Sequence, residues 1–123
     1  MDIVISNSNG KPIYEQITNQ IKAMIMDGTL KADDALPSIR LLAKELRISV
    51  ITTKRAYEEL EQEGFIVTQP GKGSFVAQSN QELMKEEQLR RIEASLQQAV
   101  DCAKIASIEE KYLQDMLYTL YRE

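Results

Sequence analysis

Hydroxyl or cationic side chains occur in three short stretches of this sequence whose residue types could bind phosphate, at residues 38–40, 49–55 and 71–73. Serine, threonine, lysine and arginine donate hydrogen bonds to phosphate oxygens, and some of them also reach the edges of bases. Glycines beside a lysine at 71–73 add backbone freedom, which suits a loop that lies along a phosphate backbone or in a minor groove. The three stretches are suited to contacts with a nucleic acid, and the alternatives from the residues alone are solvated surface cations and an ordinary flexible hairpin.

The composition argues against catalysis. Histidine is absent, which excludes Ser-His-Asp and Cys-His nucleophiles and removes the commonest zinc ligand. Cys102 is the single cysteine, so an intramolecular disulfide is impossible. We interpret Cys102 as a small packed or half-exposed helix residue, with redox sensing as the alternative. We expect no enzyme, no metal and no other cofactor.

Charge and hydropathy indicate where in the cell the protein is expected to be found. The net charge of -4 is unevenly divided, because residues 1–79 carry nine Lys/Arg against ten Asp/Glu and residues 80–123 carry six against nine. For phosphate binding the local distribution matters more than the sum. No apolar run approaches the roughly 20 residues of a membrane helix, and the N-terminus lacks the features of a signal peptide. We expect a cytoplasmic protein that does not bind membranes.

Three helices are predicted in the first half of the chain. Apolar residues between 13 and 25 recur at spacings of three and four and predict an amphipathic helix that ends near Gly28. Ser38 and Ser49 are typical N-caps, and each is expected to begin a further helix, the later one ending at Gly64. Two helices with so tight a junction are typical of a helix-turn-helix.

Three further stretches favour β-structure. Residues 3–5 form a short β-prone run at the start of the chain. Residues 65–68 and 74–77 lie on either side of Gln-Pro-Gly-Lys-Gly at 69–73, which predicts a hairpin with a glycine-rich tip. A hairpin directly behind a helix-turn-helix is a wing.

The last third of the chain lacks glycine and proline and favours continuous helix. Apolar residues there form a heptad-like stripe, and Ser107 with Glu110 predicts a capping box that starts a second helix. Two helices alone make a poor core, so we expect them to find a partner. The stripe consists of Leu89, Ile92, Leu96, Ala99, Ala103 and Ala106, and the face of the second helix consists of Ile108, Tyr112, Leu113, Met116, Leu117, Leu120 and Tyr121.

Five ordered motifs between residues 12 and 77 resemble the winged helix-turn-helix of the GntR family. The remainder of the chain is similar in length to that of the YtrA-like branch of this family, in which two helices dimerise the protein. The motifs are Pro-Ile-Tyr-Glu-Gln-Ile at 12–17, Leu-Pro-Ser-Ile-Arg-Leu-Leu-Ala at 36–43, Thr-Thr-Lys-Arg-Ala-Tyr at 52–57, Glu-Leu-Glu-Gln-Glu-Gly at 59–64 and Gly-Lys-Gly-Ser-Phe-Val at 71–76.

The resemblance implies that both helices of the helix-turn-helix and the wing contact DNA. The first turns of the recognition helix enter the major groove, while four glutamates in its distal half would repel phosphate. Ser38 has capping as its alternative duty, and Arg55 has an acidic neighbour within the protein as its alternative partner. The expected DNA-binding residues are Ser38, Arg40, Ser49, Val50, Ile51, Thr52, Lys54, Arg55, Lys72 and Gly73.

Val50 and Ile51 depart from the family pattern. Relatives often carry arginine at the first of these positions and a polar residue at the second. Valine and isoleucine cannot make the bidentate hydrogen bond to guanine, so that contact is not carried over. Two alternatives remain open, which are apolar contacts to thymine methyl groups and packing against the protein.

The C-terminal stripe has two interpretations, packing onto the winged helix of the same chain or forming a dimer interface. We favour the dimer, because an inverted pair of half-sites needs a two-fold protein. Three tyrosines, Tyr112, Tyr118 and Tyr121, are candidates for a small-molecule pocket, although the sequence gives an effector no support. The expected interface consists of Leu89, Ile92, Leu96, Ala99, Ala103, Leu113, Met116, Leu117 and Leu120.

The sequence therefore predicts a mainly α fold, with a winged helix-turn-helix and its small β-hairpin wing at 1–78 and a two-helix dimerisation segment at 79–123. The expected function is sequence-specific transcription regulation, most simply repression, by a homodimer on palindromic double-stranded operator DNA. The alternative function is a winged-helix module for protein-protein assembly that does not bind DNA.

Overall fold

The structure is a computed structural model that describes residues 1–78 and 81–123, and these form two compact units, Met1–Gln81 and Glu82–Glu123. The predicted start of the second segment at residue 79 lies outside the described residues. The elements are α1 (Ile13–Met26), α2 (Ile39–Leu46), α3 (Val50–Gln62), β1 (Ile66–Gln69), β2 (Gly73–Val76), α4 (Gln81–Ile105) and α5 (Glu110–Arg122). The predicted mainly α fold with a winged helix-turn-helix is confirmed.

The core of the first unit lies where α1, α2 and the wing meet α3. Ile17 and Ile21 face it from α1, Leu42 from α2 and Leu60 from α3, and each is almost completely buried. Complete burial of such a side chain stabilises the fold by about 1.5 to 3 kcal/mol. The position of α3 is therefore fixed by aliphatic packing on one face, which leaves its other face in solvent.

Serine caps and a left-handed turn build the helix-turn-helix. Ser38 Oγ accepts from Leu41 N at 3.1 Å and Ser49 Oγ accepts from Thr52 N at 3.0 Å, so both predicted N-caps are confirmed. Arg47 ends α2 with φ 57° and ψ 47°, in the left-handed region that usually favours glycine. Ile48 N then donates to Ala43 O at 3.0 Å, which closes α2 and turns the chain towards α3.

Tyr57 links α3 to the start of α2. Its hydroxyl donates to Pro37 O at 2.7 Å from a side chain that is almost completely buried. Burial raises the pKa of the Tyr57 phenol well above its usual value, and the Glu45 carboxylate adds to the increase. At a pH of about 10, where a tyrosine in an unfolded chain begins to ionise, the Tyr57 phenol in the folded protein is therefore still neutral.

Replacing Tyr57 with phenylalanine is expected to lower the free energy of unfolding by about 1 kcal/mol at pH 7, because the Pro37 carbonyl loses its donor. Above about pH 10 only the unfolded wild type releases the phenol proton, so this group costs the wild type about 1.4 kcal/mol per pH unit. The advantage of the wild type should vanish near pH 11. Urea unfolding of both proteins at pH 7 and pH 11 measures this, and an unchanged difference would contradict it.

The wing is a two-stranded antiparallel hairpin in which Ile66 pairs with Val76 and Gln69 with Gly73. Its strands begin and end within one residue of the predicted runs. The chain before α2 lies along the other side of β2, because Leu36 N donates to Ser74 O and Asp33 N donates to Val76 O, both at 2.9 Å. The wing is thus hydrogen-bonded to the segment that leads into α2.

The β-prone residues at the start of the chain form no strand, so that prediction is wrong. Side-chain amides of α1 form the backbone hydrogen bonds that a neighbouring strand would otherwise supply. Gln20 accepts from Val4 N at 2.9 Å and donates to Val4 O at 2.7 Å. The buried Gln16 does the same for Ser6, at 2.8 Å and 2.7 Å. This segment is therefore held against α1 by two side-chain amides.

The second unit consists of α4 and α5. The predicted capping box is wrong, because Ser107 has φ 55° and ends α4 instead of starting α5. Ser107 N donates to Lys104 O at 3.2 Å and Ile108 N donates to Ala103 O at 2.8 Å, which is a Schellman-type helix end. Glu109 is the N-cap of α5 without a side-chain hydrogen bond. Ala106 of the predicted stripe lies beyond the end of α4.

Candidate nucleic-acid interface

The two faces of α3 differ in burial and in residue type. Thr53, Ala56, Tyr57 and Leu60 are buried and hold the helix on the domain. The opposite face is exposed, and it begins with an apolar turn and continues with cations one turn later. Its residues are Val50, Ile51, Lys54, Arg55 and Glu58.

Hydroxyl groups at the start of α3 are bonded to one another. Ser49 Oγ donates to Thr52 Oγ1 at 2.8 Å, and Thr53 Oγ1 donates to Ser49 O at 3.1 Å. Ser49 is exposed, and Thr52 is half-buried. Both residues predicted to bind DNA therefore lie at the exposed N-terminal end of α3, where backbone N–H groups also favour an anion.

Lys54 and Arg55 are each paired with a glutamate one turn further along α3. Lys54 Nζ lies 3.8 Å from Glu58 Oε1, and Arg55 Nε lies 3.7 Å from Glu59 Oε1. The side chain of Lys54 is 65% exposed, and exposed pairs of this kind contribute about 0 to 1 kcal/mol, so a phosphate can displace the glutamate at little cost.

Arg55 has a second partner within the protein. Its guanidinium lies 3.8 Å from the centre of the Tyr14 ring on α1. A cation over an aromatic face is attracted to it by about 0.5 to 1 kcal/mol at an exposed site. Arg55 therefore does have an acidic neighbour within the protein, as the alternative for this residue predicts. Its side chain also links α3 to α1.

The remaining predicted contacts lie on α2 and at the wing tip, and all are exposed. Ser38 and Arg40 are at the N-terminal end of α2. Lys72 is held in the tight turn of the wing, where its N–H donates to Gln69 O at 2.9 Å. Gly73 has φ 109°, which a residue with a side chain rarely adopts.

Two further cations near these residues were not singled out from the sequence. Lys44 lies in the last turn of α2 and Arg47 in the turn before α3, and both are exposed. The tight junction between α2 and α3 could have indicated these cations, because a side chain in that junction lies next to the first turn of the recognition helix.

Acidic side chains at the other end of α3 are bonded to the domain. Glu63 Oε2 lies 2.6 Å from Lys22 Nζ of α1, and Thr68 of the wing donates to Glu61 Oε2 at 3.3 Å. At 1.5 Å per residue, Glu63 is about 20 Å from the first turn of α3. The predicted charge gradient along α3 is present, with the acidic end away from the apolar turn and its cations.

The second unit has apolar residues on exposed faces of both helices. Leu89, Ile92 and Leu96 of α4 are about half exposed, as are Met116 and Leu117 of α5, while Leu120 is more exposed. Ala103 is buried within its own chain at the turn between the helices. A groove of about 370 Å³ runs between α4 and α5 and is lined by Leu96, Ala99, Val100, Glu110, Leu113, Gln114, Met116, Leu117 and Leu120.

Tyr112, Tyr118 and Tyr121 are not brought into one pocket. Tyr112 lines a surface depression with Asp115 and Met116, whereas Tyr118 and Tyr121 line another with Gln114 and Leu117. Within residues 1–78 and 81–123, no group of three or more Cys, Asp or Glu is placed to hold a metal ion. None of the helices in these ranges is long and apolar enough to cross a membrane.

Comparison with known proteins identifies this arrangement. Residues 13–76 match the family described as bacterial regulatory proteins, gntR family, and they contain the helix-turn-helix and the wing. The chain belongs to the GntR family. The helix-turn-helix of this GntR protein is therefore the DNA-binding element of a transcription regulator.

The resemblance extends beyond the DNA-binding unit. The HTH-type transcriptional repressor YtrA of Bacillus subtilis is 34% identical over 94% of this chain and 88% of its own length. A transcriptional antiterminator from Listeria monocytogenes EGD-e has a TM-score of 0.75 at 27% identity and covers 100% of this chain and 91% of its own. The predicted relation to the YtrA-like branch is confirmed.

A solved complex includes DNA. The DNA-binding domain of AraR in complex with operator ORE1 matches with a TM-score of 0.53 at 25% identity, over 63% of this chain and 94% of that one. A domain of this fold is thus known bound to operator DNA.

Proposed function

We propose that this GntR regulator is a repressor that binds a palindromic operator as a homodimer, with one winged helix on each half-site. The observation that carries the proposal is the exposed face of α3. Its first turn presents Val50 and Ile51 to solvent, and one turn later the exposed Lys54 makes only a weak ion pair with Glu58. The similarity to the YtrA repressor over most of both chains supports repression as the mode of action. Occupation of the operator needs no catalytic step.

On each half-site the three stretches have separate duties. The first turn of α3 enters the major groove and reads bases, because its opposite face is anchored in the core. Arg40 and Lys54 position the domain on phosphates, with Ser38 donating its hydroxyl beside them. Lys72 and Gly73 bring the wing tip to the neighbouring backbone.

The homodimer is supported by the apolar faces of α4 and α5. Large apolar residues are exposed on both helices, and α4 is not closely packed against α5 along its length. Exposed apolar surface of this extent marks an interaction site. A second copy covers these faces, and the two-fold axis of the pair matches that of an inverted repeat in DNA.

We place the protein in the cytoplasm, where operator DNA is accessible. Tyr112, Tyr118 and Tyr121 give a small-molecule effector no support, because the depressions beside them are open to solvent and separate.

The test is a gel-shift titration of the wild-type protein on its own promoter region at 50 mM and 200 mM salt. If Arg40 and Lys54 of both subunits neutralise four phosphates, their contribution alone should lower affinity about 150-fold between the two salt concentrations. A protein that binds no DNA would instead be the assembly module that the acidic total charge weakly favours, and binding without this salt dependence would contradict the phosphate contacts of Arg40 and Lys54.

A further inference from the structure

Two aliphatic side chains occupy the first turn of α3 and project into solvent. Val50 is 48% exposed and Ile51 is 81% exposed, and Ile51 is more exposed than any other large apolar side chain of residues 1–78. Burying aliphatic surface is favourable, so such a side chain is costly to leave in water. Packing against the protein, one of the two alternatives given above for these residues, is therefore not what Ile51 does in the free chain. Val50 and Ile51 are called the aliphatic pair below.

The polar groups beside the aliphatic pair already have partners within the protein. The Ser49 hydroxyl bonds to Thr52, and the Thr53 hydroxyl is buried against Ser49 O. The nearby guanidinium of Arg55 is stacked on Tyr14. At the tip of the recognition helix, apolar groups are consequently the most prominent feature.

A cation accompanies the aliphatic pair on the same face. Val50 and Lys54 are four residues apart, which places them one above the other on a helix. If the partner were an apolar protein surface, the matching patch on this chain would carry no charge. The aliphatic pair instead lies next to the exposed ammonium of Lys54. The combination fits a polyanion that also carries methyl groups.

We propose that Val50 and Ile51 read the C5-methyl groups of thymines in the major groove, so that each half-site has thymines where the first turn of α3 meets the bases. This inference rests on the proposed function. The thymine methyl is the apolar group on the major-groove edge of the four bases, whereas the guanine edge offers acceptors to which these side chains cannot donate. The chain selects for methyl groups where an arginine would select for guanine.

The experiment begins with selection of binding sites for the wild-type protein from a random pool of DNA. Each thymine of the selected site is then replaced by deoxyuridine, which removes the methyl group and leaves every hydrogen-bonding group in place. Removal of a contacted methyl from one half-site should weaken binding about fourfold, and removal from both half-sites about 15-fold. Substitution at thymines outside the contact should have no effect.

The Val50→Ala/Ile51→Ala variant should bind thymine and deoxyuridine sites equally well. Both replaced side chains are exposed, and the matched control Val4→Ala removes another exposed aliphatic side chain and should discriminate like the wild type. Wild-type affinity that is unchanged by deoxyuridine at every position, or discrimination that persists in the double variant, would overturn the inference. A wild type that selects no DNA would overturn the proposed function as well.

Discussion

A protein in which Leu96 is replaced by glutamate is expected to sediment as a monomer and to bind a two-half-site operator about 100- to 10,000-fold more weakly than the wild type. Leu96 lies on the exposed face of α4 and lines the groove between α4 and α5. A carboxylate placed there is buried without a partner if a second copy packs on this face. Without the dimer, the second half-site no longer benefits from the high local concentration that the first provides.

Gln98→Glu is the matched control for Leu96→Glu. Residue 98 is about 200° further around α4, so the same charge stays in solvent on the opposite face. Circular dichroism should show equal helix content in both variants, and sedimentation velocity and operator titration should separate them. The prediction fails if Leu96→Glu remains dimeric. A chain ending at Gln81 provides a second route to the same monomer, because residues 1–81 form a compact unit.

Arg40→Ala and Lys54→Ala are expected to weaken binding to all DNA sequences to a similar degree. Each change removes one cation from each half-site, so the slope of log affinity against log salt concentration should become shallower by about 1.8 for each substitution. Base preference should stay the same, because phosphate contacts carry no sequence information directly. This distinguishes the cations from the aliphatic pair, whose removal should change base preference and leave the slope unaltered.

Lys111→Ala is the control for net charge, since Lys111 is an exposed cation on α5, in the other unit. Titrations at four or five salt concentrations give the slope for each variant. A slope equal to that of the wild type in both Arg40→Ala and Lys54→Ala would show that neither residue reaches a phosphate. In that case the wing and the turn cations Lys44 and Arg47 would have to supply the positive charge.

Signals that act within one helical turn could be predicted from the sequence. Ser38 and Ser49 cap their helices through hydrogen bonds to a residue three positions later, so the local pattern contains the whole interaction. The same reasoning failed at Ser107, because two helix ends compete for that residue. The backbone bonds that close α4 place Ser107 in the left-handed region, where it cannot cap α5.

Interactions between distant parts of the chain could not be predicted in this way. The β-prone start of the chain was expected to be a strand, but its partners are the side chains of Gln16 and Gln20, whose spacing of four residues resembles an ordinary helix face. The stacking of Arg55 on Tyr14 depends on how α1 crosses α3. The DNA contacts and the dimer interface remain predictions, because both depend on molecules outside the chain.

The double pairing of β2 has a consequence for operator architecture. Since β2 is hydrogen-bonded to β1 on one side and to residues 33–36 on the other, the wing and the start of α2 are connected by backbone hydrogen bonds. The distance from the wing tip to the recognition helix is thus set by the protein and not by the DNA. If the wing tip and the recognition helix contact DNA as proposed, the spacing between the two contacts within a half-site should contribute to specificity alongside the bases.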